Sequence, residues 1–357
     1  MITVKKKISM GVVLFLFILM GIVGNSTADT ITLPVPTPLN TGQNGDFFAY
    51  SFAINNYFYG SPIPQSSPGQ ISSDLVIYTG TNNGPVNDNN SPAIGGNVDN
   101  PFASPSGSDT TSFNTSTGTE YNATDWGAGD RTGTWDISLT SLRNFLTVNG
   151  QTLSPVILFQ QNQENSQGAT AQDIFGWGAV TLWNSDTGTY ANGLKFEFAG
   201  PTRTGAAWNT PYTGDGIAAA DPANFIHSAA AVNGEYVFGA GRECLDAAGV
   251  PVACDSPLRV YPASGPGFNQ NLGANQFAYG IVSPELNTAL AACFANPASC
   301  AYDTFSLDLQ LRNLTNGYEQ MIIRAGSIAR VPEPATLLLL GLGLIGLAGF
   351  SRRKFKK

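Results

Sequence analysis

The chain has 357 residues, of which only 12% are charged, and its formal net charge is −8. Three of its 17 basic residues are Lys5, Lys6 and Lys7 and five lie beyond Phe350, so 9 remain to face all 25 acidic residues between Asp29 and Glu333, a balance of 9 − 25 = −16. With Lys195 as its only lysine, such a body repels polyphosphate and anionic lipid, which excludes nucleic-acid binding.

In chain order, Lys5-Lys6-Lys7 precede the apolar run Ile8 to Val23. Ser26-Thr27-Ala28 then place small residues at the −3 and −1 positions of a signal-peptidase site. A run of about 16 apolar residues behind lysines predicts a secretory signal peptide over 1–28, cleaved between Ala28 and Asp29. The Sec translocon and signal peptidase are its implied partners.

Residues 29–330 read as one exported, β-rich domain. Phe47 to Ile54 and Leu75 to Tyr78 are predicted strands bounded by Gly, Asn and Pro. Between 81 and 125 only six residues are large and apolar, which predicts a long exposed polar loop. Asn87-Asp88-Asn89-Asn90 within it could hold Ca²⁺, but acidic ligands are too sparse for a recognised loop and a solvated turn is expected. Leu139, Leu142, Phe145 and Leu146 have helical spacing. Pro155 to Phe159 and Ile174 to Trp183 read as buried strands, and Leu194, Phe196 and Phe198 alternate with Lys195 and Glu197 as a half-buried one.

Beyond residue 200 the chain becomes Gly- and Ala-rich. Ser283-Pro284-Glu285 then predicts a helix start: a capping serine, a first-turn proline and an acid at the positive helix end. Phe305, Leu307, Leu309 and Leu311 alternate with Ser306, Asp308, Gln310 and Arg312, and Met321 to Ile323 is expected to close the fold. Many short strands and frequent turns, with one or two short helices, predict a mainly β body, an antiparallel β-sandwich or jelly roll. The four cysteines allow three pairings; spacing in an exported chain favours Cys244–Cys254 and Cys293–Cys300.

Sequence chemistry in the body is sparse. No GxSxG, HExxH, Walker loop or dinucleotide fingerprint occurs, and the only histidine, His227, sits beside apolar residues as a structural histidine would. The expectation is a body that is not an enzyme and has no metal or cofactor. A polysaccharide hydrolase would need only two suitably spaced carboxylates. Trp126, flanked by Asp125 and Asp130, and Trp208 lie in turn-rich segments, where aromatic faces can stack on sugar rings and acids can accept hydroxyls. Trp135, Trp177 and Trp183 lie within strand patterns and are expected in the core.

The C-terminus carries the sharpest signal. Val331-Pro332-Glu333-Pro334 leads into an apolar run ending at Phe350, and Arg352, Arg353, Lys354, Lys356 and Lys357 form a basic membrane stop. Each proline holds the residue before it extended, a form suited to a protease that binds its substrate as a strand. Residues 331–357 resemble the PEP-CTERM sorting signal of exported proteins, with a motif, a transmembrane segment and a basic tail. The resemblance implies a Gram-negative exporter, an exosortase-type membrane protease as partner, and transient residence in the inner membrane before the cell surface or extracellular matrix. It suggests a structural protein of the surface, biofilm or exopolysaccharide matrix. The alternative is a carbohydrate-binding surface module on the exported polysaccharide, with a secreted polysaccharide hydrolase as the third reading.

Overall fold

The computed structural model describes residues 30–35, 41–67, 71, 73–79, 89, 96–103, 111–121, 126–163, 172–199, 237–314 and 319–328. The signal peptide with its Ala28/Asp29 junction and the sorting signal from Val331 onward lie outside them. The first strands are β1 (Ile31–Leu33), β2 (Thr41–Asn44) and β3 (Phe47–Ser51), followed by helix α1 (Phe52–Tyr59). Next come β4 (Leu75–Thr79), β5 (Phe102–Ala103), β6 (Thr111–Asn114), β7 (Trp135–Ser138) and helix α2 (Leu139–Leu146). A small hairpin of β8 (Thr147–Val148) and β9 (Gln151–Thr152) leads into β10 (Ser154–Gln160), β11 (Ile174–Trp183) and β12 (Leu194–Phe198). The chain then forms β13 (Val237–Gly239), β14 (Arg242–Leu245), β15 (Pro251–Val252), β16 (Phe268–Asn269) and β17 (Tyr279–Val282). It ends in helix α3 (Pro284–Ala295), β18 (Thr304–Leu314) and β19 (Gln320–Ile328).

Two sheets result. The eight-stranded sheet runs β2-β3-β17-β10-β19-β4-β5, with β1 also paired to β19. The six-stranded sheet runs β12-β11-β18-β6, with β13 on β11 and β7 on β18. Period-2 geometry decides what lies between them. Phe305, Leu307, Leu309 and Leu311 of β18 meet Ile157 and Phe159 of β10, Ile323 of β19, and helices α2 and α3 in one core cluster. The other face of β10, Val156 and Leu158, packs into a second cluster with Leu33, Phe48 and Phe52. β10 is thus buried on both faces and reads as an unbroken apolar run. β18 has a polar outer face and alternates.

The mainly β body is as the sequence predicts, with antiparallel pairing throughout except for the parallel pairs β1–β19 and β4–β5; there are three α-helices among the described residues, and the additional one is α1. The predicted strand over Phe47 to Ile54 breaks after Ser51. That residue is an N-cap whose hydroxyl accepts from the Ile54 N–H at 3.2 Å, and Gly60 ends the helix at φ 64°. Apolar residues continue through the break because Phe52 and Ile54 enter two different clusters, so composition hides the cap. Ser138 caps α2 and Ser283 caps α3 in the same way.

Three further segments differ from expectation. Across 81–125 the described residues are built into the sandwich rather than looped out. Val98 bridges Ile137 in one sheet, Phe102 pairs with Tyr78 in the other, and Phe113 pairs with Leu311. The apolar residues are few, yet each of these three is buried. Asn89 is also buried, not a solvated turn or a ligand: its carboxamide bonds both the N–H and C=O of Val76 and the C=O of Asp99. Asn87, Asp88 and Asn90 lie outside the described residues. In β12, Leu194 is exposed while Glu197 is buried and ion-paired to Lys195, which inverts the expected alternation at those two positions. Finally, β19 runs past Ile323 to Ile328, because β1 pairs with Gly326–Ile328 in parallel. A Cβ at Gly326 would stand 2.6 Å from Val156 Cγ2, so only glycine lets these strands close up.

Both expected disulfides are present, Cys244–Cys254 and Cys293–Cys300, the second tying the end of α3 to the approach to β18. The ion pair of Asp74 with Arg324 is more deeply placed: Nε reaches Oδ1 at 2.9 Å and Nη2 reaches Oδ2 at 2.5 Å, with both side chains almost fully buried. Removing one partner of such a pair strands the other charge in the interior, at a cost of about 3–5 kcal/mol. Asp74→Ala is therefore expected to lose about that much in urea unfolding, and the double change Asp74→Leu/Arg324→Met to regain most of it. A loss below about 1 kcal/mol in the single variant would show the pair to be unimportant.

Candidate functional site

Among the described residues, a group of carboxylates gathers at one corner of the six-stranded sheet. Trp135 and Ile137 of β7 point into the core, so Asp136 between them points to the outer face. Asp99 arrives on the crossing segment: its N–H donates to the Asp136 carbonyl at 2.9 Å, and the Asp136 N–H donates to Asp99 Oδ2 at 2.6 Å. The turn over 126–134 closes the corner. Trp126 donates its indole Nε1–H to Asp99 Oδ1 at 2.7 Å and its backbone N–H to Asp130 Oδ2 at 3.1 Å. The Arg131 N–H reaches Asp136 Oδ2 at 2.6 Å, and the Thr134 hydroxyl donates to the same carboxylate at 3.1 Å.

One carboxylate oxygen from each of Asp99, Asp130 and Asp136 lies within 4.8 Å of the others. Three negative charges at that spacing and burial are unfavourable, and the group has two chemical ways out: to hold protons, or to hold a hard, oxygen-seeking cation such as Ca²⁺. Burial pushes Asp99 up to about 9, with the nearby carboxylates of Asp136 and Glu120 adding to it. Burial likewise raises Asp136 to about 7, and Glu120 to about 7 with help from Asp130. The described donors to Asp99 and Asp136 come from the corner itself or the adjoining strand, which makes it a latch holding the crossing segment and the 126–134 turn to β7.

The same outer face continues across the sheet. Trp183 Nε1 donates to Ser306 Oγ at 2.8 Å, Thr115 Oγ1 to Asp308 Oδ1 at 2.8 Å, and the Arg131 guanidinium stands 4.0 Å over the Tyr190 ring. Lys195 lies 5.5 Å over Trp177. Burial raises Asp308, against the pull of its Thr115 hydrogen bond.

Of the residues predicted for sugar contact, the structure brings Trp126 and Asp130 together, half-buried. Asp125 and Trp208 lie outside the described residues, as does His227. Gly129 packs against the Trp126 ring, where an added Cβ would stand 2.7 Å from it. The Trp126 N–H groups are already engaged, so the residue works here as a strut. Trp135, Trp177 and Trp183 are buried as expected. Sequence reading missed Asp99, Glu120 and Asp136. Asp136 had a local signal, an acid between two core aromatic and aliphatic positions of a strand; Asp99 had none, since it comes to the corner only through long-range pairing.

Comparison with protein families gives two matches. The model described as Domain of unknown function (DUF8239) matches residues 31–310, and that of the PEP-CTERM protein-sorting motif matches residues 330–354. No curated protein and no solved structure matches the chain.

The raised carboxyls set the pH dependence of stability. Below the ordinary carboxylate range folded and unfolded chains are both protonated. Above it the unfolded chain releases protons that Asp99 and Asp136 retain, so stability falls as pH rises and levels off only above about 9. Glu243, at about 7, and Glu319, at about 8, are raised by burial and add to the same slope. Urea unfolding is expected to show a loss of at least about 2 kcal/mol between pH 5 and pH 9, with a shallower slope in Asp99→Asn. A flat or rising profile would contradict the protonated corner.

Proposed function

For a chain that belongs to the family described as Domain of unknown function (DUF8239) and ends in a PEP-CTERM protein-sorting motif, we propose a non-enzymatic structural role at the cell surface or in the extracellular matrix. The sorting motif marks an exported protein of a Gram-negative bacterium, processed by an exosortase, itself a membrane protein. The observation that carries the reading is how closely folded body and signal abut. β19 is paired to Ile328, and the motif begins at Val331, about 10 Å of extended chain later. A body held that near the bilayer and then released suits a cargo delivered already folded. Its acidity and two short-range disulfides suit an oxidising, hydrated exterior. The carboxylates of the acidic corner are occupied by backbone, hydroxyl and indole donors, an arrangement for structure more than for turnover.

A carbohydrate-binding surface module is the second reading, favoured by aromatic side chains that remain outside the core. The matrix reading is tested in a host that exports the chain. The released protein is expected to have lost residues 1–28 and the apolar tail by mass, and Glu333→Ala is expected to leave the body in the inner membrane. Full-length protein recovered from the cytosol with free thiols would overturn it.

A further inference from the structure

One edge of β7 is closed by a carboxylate. β7 pairs with β18 on one side, and residues 97–99 lie along the other. The Asp99 N–H donates to the Asp136 carbonyl at 2.9 Å, and the Ser138 N–H donates to the Asn97 carbonyl at 3.0 Å. The third edge group, the Asp136 N–H, is held by a side chain in place of a backbone carbonyl: it donates to Asp99 Oδ2 at 2.6 Å. The charge state of Asp99 therefore bears directly on how firmly the edge is covered.

Asp99 does this among like charges. It is 1% exposed and Asp136 is fully buried, and each has a carboxylate oxygen within 4.8 Å of the other and of Asp130. The groups around the pair come from several elements. Asp130 belongs to the turn, Glu120 to the stretch after β6 and Ser306 to β18. Further along the face stand Asp308 and Tyr190, with the Arg131 guanidinium 4.0 Å over the Tyr190 ring. Burial outweighs the hydrogen bonds from Ser306, Arg131 and Thr134 at Asp136. At Asp99, burial with the Asp136 and Glu120 charges outweighs the bond from Trp126.

Opening the corner returns these carboxyls to water and to their ordinary range. The closed form is therefore fully favoured below that range and loses ground as pH rises through the raised values, about 7 for Asp136 and about 9 for Asp99. Each pH unit in between makes opening about tenfold easier per ionising group. Val98, buried in the core cluster, opposes it. The rest of the body has ties that do not pass through this corner, among them the Asp74–Arg324 pair and both disulfides, so the corner can open alone.

We propose that the acidic corner is a pH-operated latch: when its carboxyls ionise, residues 97–99 and the 126–134 turn come away and leave the edge of β7 unpaired, with both sheets still folded. An unpaired edge is the part of a sheet that takes up another strand. The device goes beyond the structural role proposed above and does not depend on it.

Amide hydrogen exchange of the full-length protein tests it, run in EDTA at pH 6 and pH 9 and corrected for the intrinsic rate at each pH. The amides of Asp99, Asp136 and Ser138 are expected to lose protection at least about tenfold over this range. At pH 9 the amides of Ile157 and Leu158 in β10 are expected to stay at least about tenfold better protected than those three. Asp136→Asn is expected to shrink the loss, and so is Glu120→Gln, a half-buried change outside the β7 edge. Four results would overturn the proposal: protection unchanged between the two pH values, corner amides that exchange together with those of β10, a loss undiminished in both variants, or protection restored at pH 9 by Ca²⁺. The last would make a cation, and not a proton, the agent that closes the corner.

Discussion

The pairing of β19 is the constraint on which the rest of the structure depends. β10 holds it over Gln320–Gly326, β4 holds its start and β1 holds its end. Its inward residues join the core between the sheets, and its outward Arg324 meets Asp74. β1 pairs in parallel with the last three residues of β19, so the start and the end of the described body are brought within a few residues of each other. Ile31 follows the predicted signal-peptide junction by two residues, and Ile328 precedes Val331 by three. The first strand of the body is thereby joined directly to the last, which the sorting motif follows.

Burial of polar groups is the second theme, and it separates two solutions to the same problem. Beneath the sheet Arg324 supplies Asp74 with a bidentate partner. Asp99 and Asp136 have no cation at hand and are driven toward their neutral forms. Both arrangements orient the backbone around them, one between β4 and β19, the other between the crossing segment and β7. A body with a single lysine has few basic side chains for interior carboxylates, which leaves protonation or a hard cation to neutralise them.

Much of the fold was legible because local chemistry and tertiary role agreed. The alternation in β18, the apolar run of β10, the Ser283-Pro284 start of α3 and both cysteine pairs are each decided within about a dozen residues. Apart from the Ser51 cap, a local contact hidden by the apolar residues around it, failures came where the deciding contact is distant. Ser51 reads as a strand residue until the Ile54 amide is seen to turn back onto it. The segment around Val98 and Phe102 has loop composition, yet it is ordered by Ile137 and Tyr78, neither of which local composition can indicate. The same reason hid most of the acidic corner, of which Trp126 and Asp130 were visible and Asp99, Glu120 and Asp136 were not. The sorting signal was legible because it is linear by nature.

The claim beneath all of this is that the last strand of the body is a paired element as far as Ile328, three residues before Val331. Amide hydrogen exchange of the full-length protein reads it directly. Residues 321–328 are expected among the slowest-exchanging amides of the chain, with protection ending sharply before Val331. If those amides exchange as fast as unpaired chain, the last strand is a loose tether and the account fails.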